Sequence, residues 1–195
     1  MMDFKNAKKY ILTRLEEELN PKLYYHGIHH TIDVYQTSIK IAELEGLSQE
    51  EKIIVNTAAL YHDSGFIIRY EHNEELAVEL IREVLPSFGY SDKQIKIIGN
   101  IILTTRIKAR PKTLLEKIMS DADYDYLGRN DVHQIANTLY KELNEHGFKF
   151  NINEWNEMQI KFLEKHFYYT TSSIQLRRPR KLAYYHYLKE LNVKI

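Results

Sequence analysis

The sequence contains no cysteine. Disulfide bonds, thiolate nucleophiles and zinc–thiolate sites are therefore excluded, and any metal ion must be bound through histidine and carboxylate side chains. Glycine and proline are also scarce, with seven and four residues in a chain of 195. This leaves no room for a flexible linker, and no internal repeat is visible. The length fits one domain of ordinary size, so residues 1–195 are predicted to form a single domain.

The chain has no excess of charge of either sign, because 27 Lys and Arg side chains balance 27 Asp and Glu side chains. No global field attracts a nucleic-acid polymer or an anionic membrane, so neither is an expected partner. The first residues lack the apolar run of a signal peptide, and no stretch approaches the length of a membrane span. A cytoplasmic location is the default expectation.

Apolar residues recur at steps of three and four along most of the chain, as at Phe4, Ala7, Ile11 and Leu15. No segment alternates apolar and polar residues over several positions, so a sheet is not expected. We predict an all-α, single-domain multi-helix bundle of about eight or nine helices. The predicted helices are 3–20, one ending at Gly46, one from Ser48 to His62, 72–85, 91–106, 113–126, 131–146, 153–169 and 180–191, with a polar stretch at 170–180 between the last two.

A histidine and an aspartate, His62 and Asp63, stand side by side after the apolar stretch 53–60, and Gly65 follows closely. Burial of both polar groups is costly unless a cation compensates them, and both are good ligands for a divalent metal. The competing interpretation is a helix that ends in an ordinary histidine cap, with Asp63 and Gly65 in the turn. The choice between the two depends on the other candidate ligands.

Three histidines, His26, His29 and His30, lie within five residues. If this segment is helical, His26 and His30 share a face and could bind one ion or one phosphate together. A partly exposed histidine cluster without a function is the alternative.

Three carboxylates, Asp121, Asp123 and Asp125, also lie within five residues, framed by apolar side chains. The framing suggests that at least one of them points inward, where an unpaired carboxylate would be expensive. A further histidine, His72, is flanked by acids at the start of a helix, a pattern that the helix dipole explains equally well.

Several basic residues could bind phosphate, although a solvated surface charge is the commoner role for each. Arg129 is favoured among them because it follows the acidic run directly. The basic run at 177–181 is expected to be solvated or paired with acids. The other candidates are Arg69, Arg106, Lys108 and Arg110.

These residues together resemble the HD-domain metal-dependent phosphohydrolase superfamily, whose ordered pattern is H…HD…D. The matching segments are His30-Thr31, His62 to Phe66, and Asp121 to Asp123. The segments 25–31, 121–129 and 155–162 look like those of its small stand-alone bacterial members. The resemblance covers roughly residues 24–130, and further helices at 131–195 follow this motif core.

The resemblance implies that His30, His62, Asp63 and Asp123 bind a divalent metal, with Asp121 as the second choice for the distal aspartate. Two histidines and two carboxylates leave positions open in an octahedral shell, which suits Mn²⁺, Fe²⁺, Ni²⁺ or Mg²⁺ better than a closed zinc site. One ion per chain is favoured. Binuclear members supply further histidines, and although His72 could be one, the stretch 101–105 has none.

By the same resemblance, the protein is expected to be a phosphomonoesterase or phosphodiesterase. It would act on a nucleotide or other small phosphate ester through a metal-activated water. His26 and Glu75 are candidates for the general acid, and Arg129 for stabilising the phosphoryl charge. The alternative is a non-catalytic metal- or nucleotide-binding sensor or regulatory module. Either is compatible with a homo-oligomer.

Overall fold

The computed structural model describes the backbone of residues 1–193 and the side chains of residues 1–191. This part of the chain contains nine α-helices and no strand, which confirms the all-α prediction. Short 3-10 turns at Ser64–Ile67, Leu85–Phe88, Leu103–Thr105 and Asp125–Gly128 connect several of the helices. The helices are α1 (Phe4–Glu18), α2 (Ile28–Leu44), α3 (Gln49–Tyr61), α4 (Asn73–Val84), α5 (Asp92–Ile102), α6 (Leu114–Asp123), α7 (Val132–Glu145), α8 (Ile152–Lys165) and α9 (Thr171–Val193).

Four helices begin at a capping box, in which a polar side chain before the helix and an acid or amide three residues later satisfy each other's backbone N–H groups. This local signal explains why these helices start where they do. The pairs are Ser48 with Glu51, Ser91 with Gln94, Thr113 with Glu116, and Asn151 with Glu154.

The last helix starts about nine residues earlier than the sequence predicts, because the polar stretch at 170–180 is its first half. Thr170 accepts a hydrogen bond from the backbone N–H of Ser173 (3.2 Å) and so caps the helix, and Arg177 is held by Asp125 (2.6 Å). Pro179 lies inside α9. These tertiary contacts outweigh the local preference of proline to end a helix.

The core has two parts. The larger one is built from α1 to α6 around α3, whose residues 54–61 are all buried. The smaller one includes Tyr25, Tyr126, Leu163 and Tyr184 and joins α7, α8 and α9 to the rest. Because α3 runs through the centre of the larger core, the residues that follow it are delivered into the interior.

Among the described residues, none of the helices is both long enough and apolar enough to span a lipid bilayer.

Candidate metal centre

Side chains from α2, α3 and α6 converge at one point inside the molecule. His30 lies in the first turn of α2, His62 and Asp63 follow α3 directly, and Asp123 is the last residue of α6. The His30 Nε2 atom lies 3.1 Å from Asp123 Oδ1 and 3.4 Å from His62 Nε2. His30, His62 and Asp123 form a cluster whose donor atoms could share one metal ion.

Asp63 lies next to both histidines and is the fourth residue of this site. Its Oδ2 atom lies 3.1 Å from His62 Nε2 and 3.5 Å from His30 Nε2, and it has no hydrogen-bond partner although it is buried. Its Oδ1 atom accepts a hydrogen bond from the Asn73 amide (3.3 Å). A buried carboxylate oxygen without a donor is costly, unless a cation binds it.

The orientation of His62 fixes which nitrogen faces the cluster. Its Nδ1 atom donates to the carbonyl of Ala59 (2.9 Å), so the lone pair of the neutral ring is on Nε2. The Nε2 atoms of His30 and His62 lie 3.4 Å apart, and each lies 3.1–3.8 Å from an oxygen of Asp63 and from an oxygen of Asp123. Ligands about 2 Å from one ion and at right angles lie about 3 Å apart, so the residues fit a divalent cation.

The charges around His62 also favour a bound cation. Burial alone lowers the pKa of His62, but the negative charge of Asp63, together with Asp123, outweighs it and raises the pKa to about 9. Burial would raise the pKa of Asp63, yet the adjacent imidazoles hold it well below its usual range. The centre thus stabilises positive charge strongly.

A glycine permits the turn that carries this site. A Cβ atom on Gly65 would lie 1.9 Å from the carbonyl oxygen of Asn73, so only glycine allows the start of α4 to approach the turn after Asp63. This approach also brings the Asn73 side chain to Asp63. His72 is exposed at the N-cap of α4 with a left-handed backbone (φ 60°), and it does not join the cluster.

His26 lies beside the cluster and is held by a carboxylate that the sequence did not single out. Its Nδ1 atom pairs with Glu142, whose other oxygen accepts the backbone N–H groups of Tyr25 (2.7 Å) and His26 (3.0 Å). Tyr70 donates its hydroxyl to the same carboxylate (3.2 Å). The side chain of Glu142 is fully buried, and the His26 ring lies 5.9 Å from that of His30.

The surroundings of His26 and Glu142 favour the charged form of this pair. Burial lowers the pKa of His26, but the hydrogen bond to Glu142 and the charge of Asp63 raise it above its ordinary value overall. Burial raises the pKa of Glu142, and the hydrogen bond from His26 reverses this, so that the pKa falls below its ordinary value. One sequence signal could have indicated Glu142. It is an acid on the otherwise apolar stripe of α7, three residues after Leu139 and seven after Ile135.

The other acids of the 121–125 run have different partners. Asp121 is buried and accepts hydrogen bonds from the backbone of Tyr169 (2.9 Å) and from the backbone and hydroxyl of Thr170 (2.7 Å each). Asp125 is buried and pairs with Arg177. The structure therefore brings Asp123, and not Asp121, to the two histidines.

Glu75 and Arg129, two of the predicted catalytic residues, do not reach this site. Glu75 is about two-fifths exposed and pairs with Arg106. Arg129 binds both carboxylate oxygens of Asp33 (2.8 Å) and also Asp131 (3.0 Å). Its charge is thus compensated by carboxylates on the surface of α2 and at the start of α7.

A cavity of about 500 Å³ opens beside the metal centre. Asp63, Asp123 and His26 line one part of it, and the lining extends to Phe148 and Trp155 near the C-terminal helices. His30 and His62 are not among the residues that line it. The volume is within the range of small-molecule sites, so the centre is connected to a space that could hold an organic ligand.

An all-α bundle that brings two histidines and two aspartates together from three helices has the arrangement of an HD domain. The family model for the HD domain matches residues 27–126, about half of the chain. The protein belongs to the HD-domain family. Comparisons with curated proteins and with solved structures gave no match. The ligand assignment to His30, His62, Asp63 and Asp123 remains a prediction, which the geometry supports.

Proposed function

We propose that the protein is a metal-dependent phosphohydrolase that acts on a small phosphate ester. The observation that carries this proposal is the convergence of four acceptor atoms, from His30, His62, Asp63 and Asp123, at the wall of a ligand-sized cavity. A divalent cation held there would polarise a phosphoryl oxygen and lower the pKa of a water molecule. Mn²⁺, Fe²⁺, Ni²⁺ or Mg²⁺ suits this donor set.

The charge of the cavity explains why a cation is needed. Its described lining includes Asp63, Asp123 and Glu74 but neither Lys nor Arg. A phosphate ester carries negative charge at neutral pH and would be repelled by these carboxylates. A cation between Asp63 and Asp123 removes this repulsion and gives the phosphate a place to bind.

His26 has the position of a general acid, and its raised pKa favours the protonated form that a general acid needs. Its Nδ1–H is engaged by Glu142, which leaves Nε2 for proton exchange with a group in the cavity. In the reaction, the oxygen of water adds to phosphorus while the bond from phosphorus to the alcohol oxygen breaks. His26 gives a proton to the departing alcohol and takes one from the attacking water, which completes the hydrolysis.

The test measures metal content and turnover together. The purified protein is supplied with each of the four metals, and hydrolysis of p-nitrophenyl phosphate and bis(p-nitrophenyl) phosphate is followed. We expect metal-dependent release of nitrophenol, and a loss of at least about 100-fold in Asp63→Asn. Asp92→Asn is the matched control, because Asp92 is exposed at the start of α5.

Two results would contradict the proposal. Unchanged turnover in Asp63→Asn would show that the hydrolysis does not use this centre. Metal bound stoichiometrically without hydrolysis of any phosphate ester would favour the alternative, a non-catalytic sensor or regulatory module. A cytoplasmic location and a small phosphorylated metabolite or nucleotide as the substrate are part of the same proposal.

A further inference from the structure

The walls of the cavity are the basis of a more specific inference, which rests on the proposed function. We propose that the substrate is a monophosphate ester of an uncharged, apolar alcohol that carries an aromatic ring. Ten of the residues that line the cavity are Phe, Tyr or Trp. A flat ring bound between aromatic walls makes offset-stacked and edge-to-face contacts with them. These contacts add to the free energy gained by burying apolar surface.

The absence of basic side chains argues against substrates with more than one phosphate. Of the described residues, no Lys or Arg lines the cavity. Arg106, between the lining residues Thr105 and Ile107, is paired with Glu75, and Arg129 is paired with Asp33 and Asp131. Other basic residues that adjoin lining residues in sequence, including Arg69, Lys108 and Lys149, do not line the cavity themselves. A second or third phosphate would therefore enter without a partner and would face Glu74 as well.

Several polar groups of the lining already have partners within the protein, which argues against a polyhydroxylated substrate. Tyr184 donates its hydroxyl to Gln159 (2.5 Å), and Tyr70 donates to Glu142. Asn73 donates to Asp63. A sugar hydroxyl would lose its bound water on entering the cavity and would find few free hydrogen-bond partners there. This desolvation costs free energy, whereas an apolar ring has no such cost.

The open side of the cavity has the same apolar character. Ile107 and Phe148 line the cavity and are nonetheless 81% and 54% exposed. They lie in the loops before α6 and α8, so both sides of the entrance present hydrocarbon to an incoming ligand. Exposed apolar side chains at the rim of a cavity are typical of a binding site for an apolar group.

The test compares primary alkyl phosphates with similar leaving groups. With the metal-loaded protein, kcat/KM is measured for 2-(1-naphthyl)ethyl phosphate and ribose 5-phosphate, and phosphate release is measured for ATP. We expect the naphthyl ester to exceed ribose 5-phosphate by about 10- to 100-fold, as the burial of one aromatic group provides. ATP should be hydrolysed more slowly than either.

A variant places a positive charge on the apolar wall. Met158→Lys changes a partly buried residue of α8 that lines the cavity, and we expect it to lower the preference for the naphthyl ester about tenfold or more. Ile174→Lys adds the same charge at an exposed position of α9 outside the lining and should keep the preference. A measurement without variants is inhibition of p-nitrophenyl phosphate hydrolysis by 2-(1-naphthyl)ethanol, which should be stronger than inhibition by ribose.

The outcomes separate this inference from the proposed function. Equal or faster hydrolysis of ribose 5-phosphate or ATP would overturn the substrate class while leaving the phosphohydrolase intact. An unchanged preference in folded Met158→Lys, or equal inhibition by naphthylethanol and ribose, would also overturn it. If no phosphate ester is hydrolysed with any metal, the proposed function itself fails, and this inference fails with it.

Discussion

Asp121, Asp123 and Asp125 lie within five residues of one another, and each carboxylate faces a different part of the molecule. Asp123 faces the two histidines of the metal centre, Asp121 holds the backbone at 169–170, and Asp125 pairs with Arg177. Residue type alone cannot tell these roles apart. In α6, the spacing of two residues rotates Asp123 by about 200° around the helix axis from Asp121, so these two acids point to different partners. Asp125 lies beyond the helix, in the turn Asp125–Gly128.

Replacing Asp121 should therefore reduce mainly the stability of the protein, whereas replacing Asp123 should reduce mainly its metal binding. We expect Asp121→Ala to lower the free energy of unfolding by about 2–4 kcal/mol, because three donors at Tyr169 and Thr170 lose their acceptor in a buried position. The folded fraction of this variant should bind Mn²⁺ as the wild type does. Asp123→Ala should lose most of the bound metal while its stability in metal-free buffer falls less.

Urea unfolding in metal-free buffer and calorimetric Mn²⁺ titration measure the two effects independently. Wild-type metal affinity in Asp123→Ala would disprove the assignment of this residue as a ligand. Small, equal losses of metal in both variants would contradict the assignment of either aspartate.

The buried pair of His26 and Glu142 predicts a pH-dependent contribution to stability. Glu142 has a lowered pKa, so its contribution is present above about pH 4.5 and is lost as the pH falls through the lowered value. His26 has a raised pKa, so its contribution is present below about pH 6.5 and is lost as the pH rises through the raised value. The two windows overlap between these limits.

Glu142→Gln should accordingly cost about 1–3 kcal/mol of unfolding free energy near pH 6 in metal-free buffer, and less near pH 9. Denaturant unfolding of wild type and variant at both pH values checks this. Glu145→Gln is the matched control on α7, since Glu145 forms only a surface ion pair with Lys22 (3.1 Å) and should change stability by less than about 1 kcal/mol. An equal cost of Glu142→Gln at the two pH values would contradict the charged pair.

At the scale of the elements, the docking of α9 depends on one close approach. A Cβ atom on Gly128, in the turn after α6, would lie 2.4 Å from the carbonyl oxygen of Arg177. Glycine thus allows the turn Asp125–Gly128 to touch the backbone of α9, next to the ion pair of Asp125 and Arg177. Lys181, one helical turn further on, donates to the carbonyl of Leu163 (3.2 Å) and so satisfies the end of α8.

Gly128→Ala should destabilise the protein by about 2–4 kcal/mol, because the methyl group must displace the backbone of α9 and cannot be avoided by a rotamer change. Thermal unfolding measures the effect. Gly99→Ala, inside α5, is the control, since its Cβ atom would meet the side chains of Val78 (3.4 Å) and Ile81 (3.7 Å) at ordinary contact distances, and the helix gains propensity. A Gly128→Ala variant as stable as Gly99→Ala would show that α9 does not pack as described.

The elements also show how far local sequence signals determine the fold. Capping residues and apolar spacing were sufficient to predict most helices, because both signals act within one or two turns. The start of α9 was not predictable in this way. Asp121 holds the capping hydroxyl of Thr170, and Asp125 holds Arg177. Both aspartates lie more than 40 positions earlier in the chain.

For the whole molecule, the ordered histidines and aspartates indicated the metal centre, because their chemistry restricts what can be buried together. The apolar stripe of α7 marks Glu142 as an unusual acid but does not reveal its partner, since Glu142 reaches His26 from a helix more than 100 residues later. The cavity could not be predicted from the sequence either. Its walls combine residues of the smaller core, such as Tyr126 and Leu163, with residues beside the candidate metal centre, such as His26 and Asp63, so no single segment carries its pattern.

The acidic run from Asp121 to Asp125 also restricts chain length. An insertion of one residue between Asp121 and Asp123 would turn the end of α6 by about 100°. It would move the candidate metal ligand Asp123 and the partner of Arg177 away from their present positions relative to Asp121, the anchor for 169–170. The loop at Gly147 has a left-handed backbone (φ 92°), but a Cβ atom there would meet nothing within 4 Å apart from its chain neighbours. We therefore expect engineered insertions to be tolerated better in this open loop than between the three aspartates.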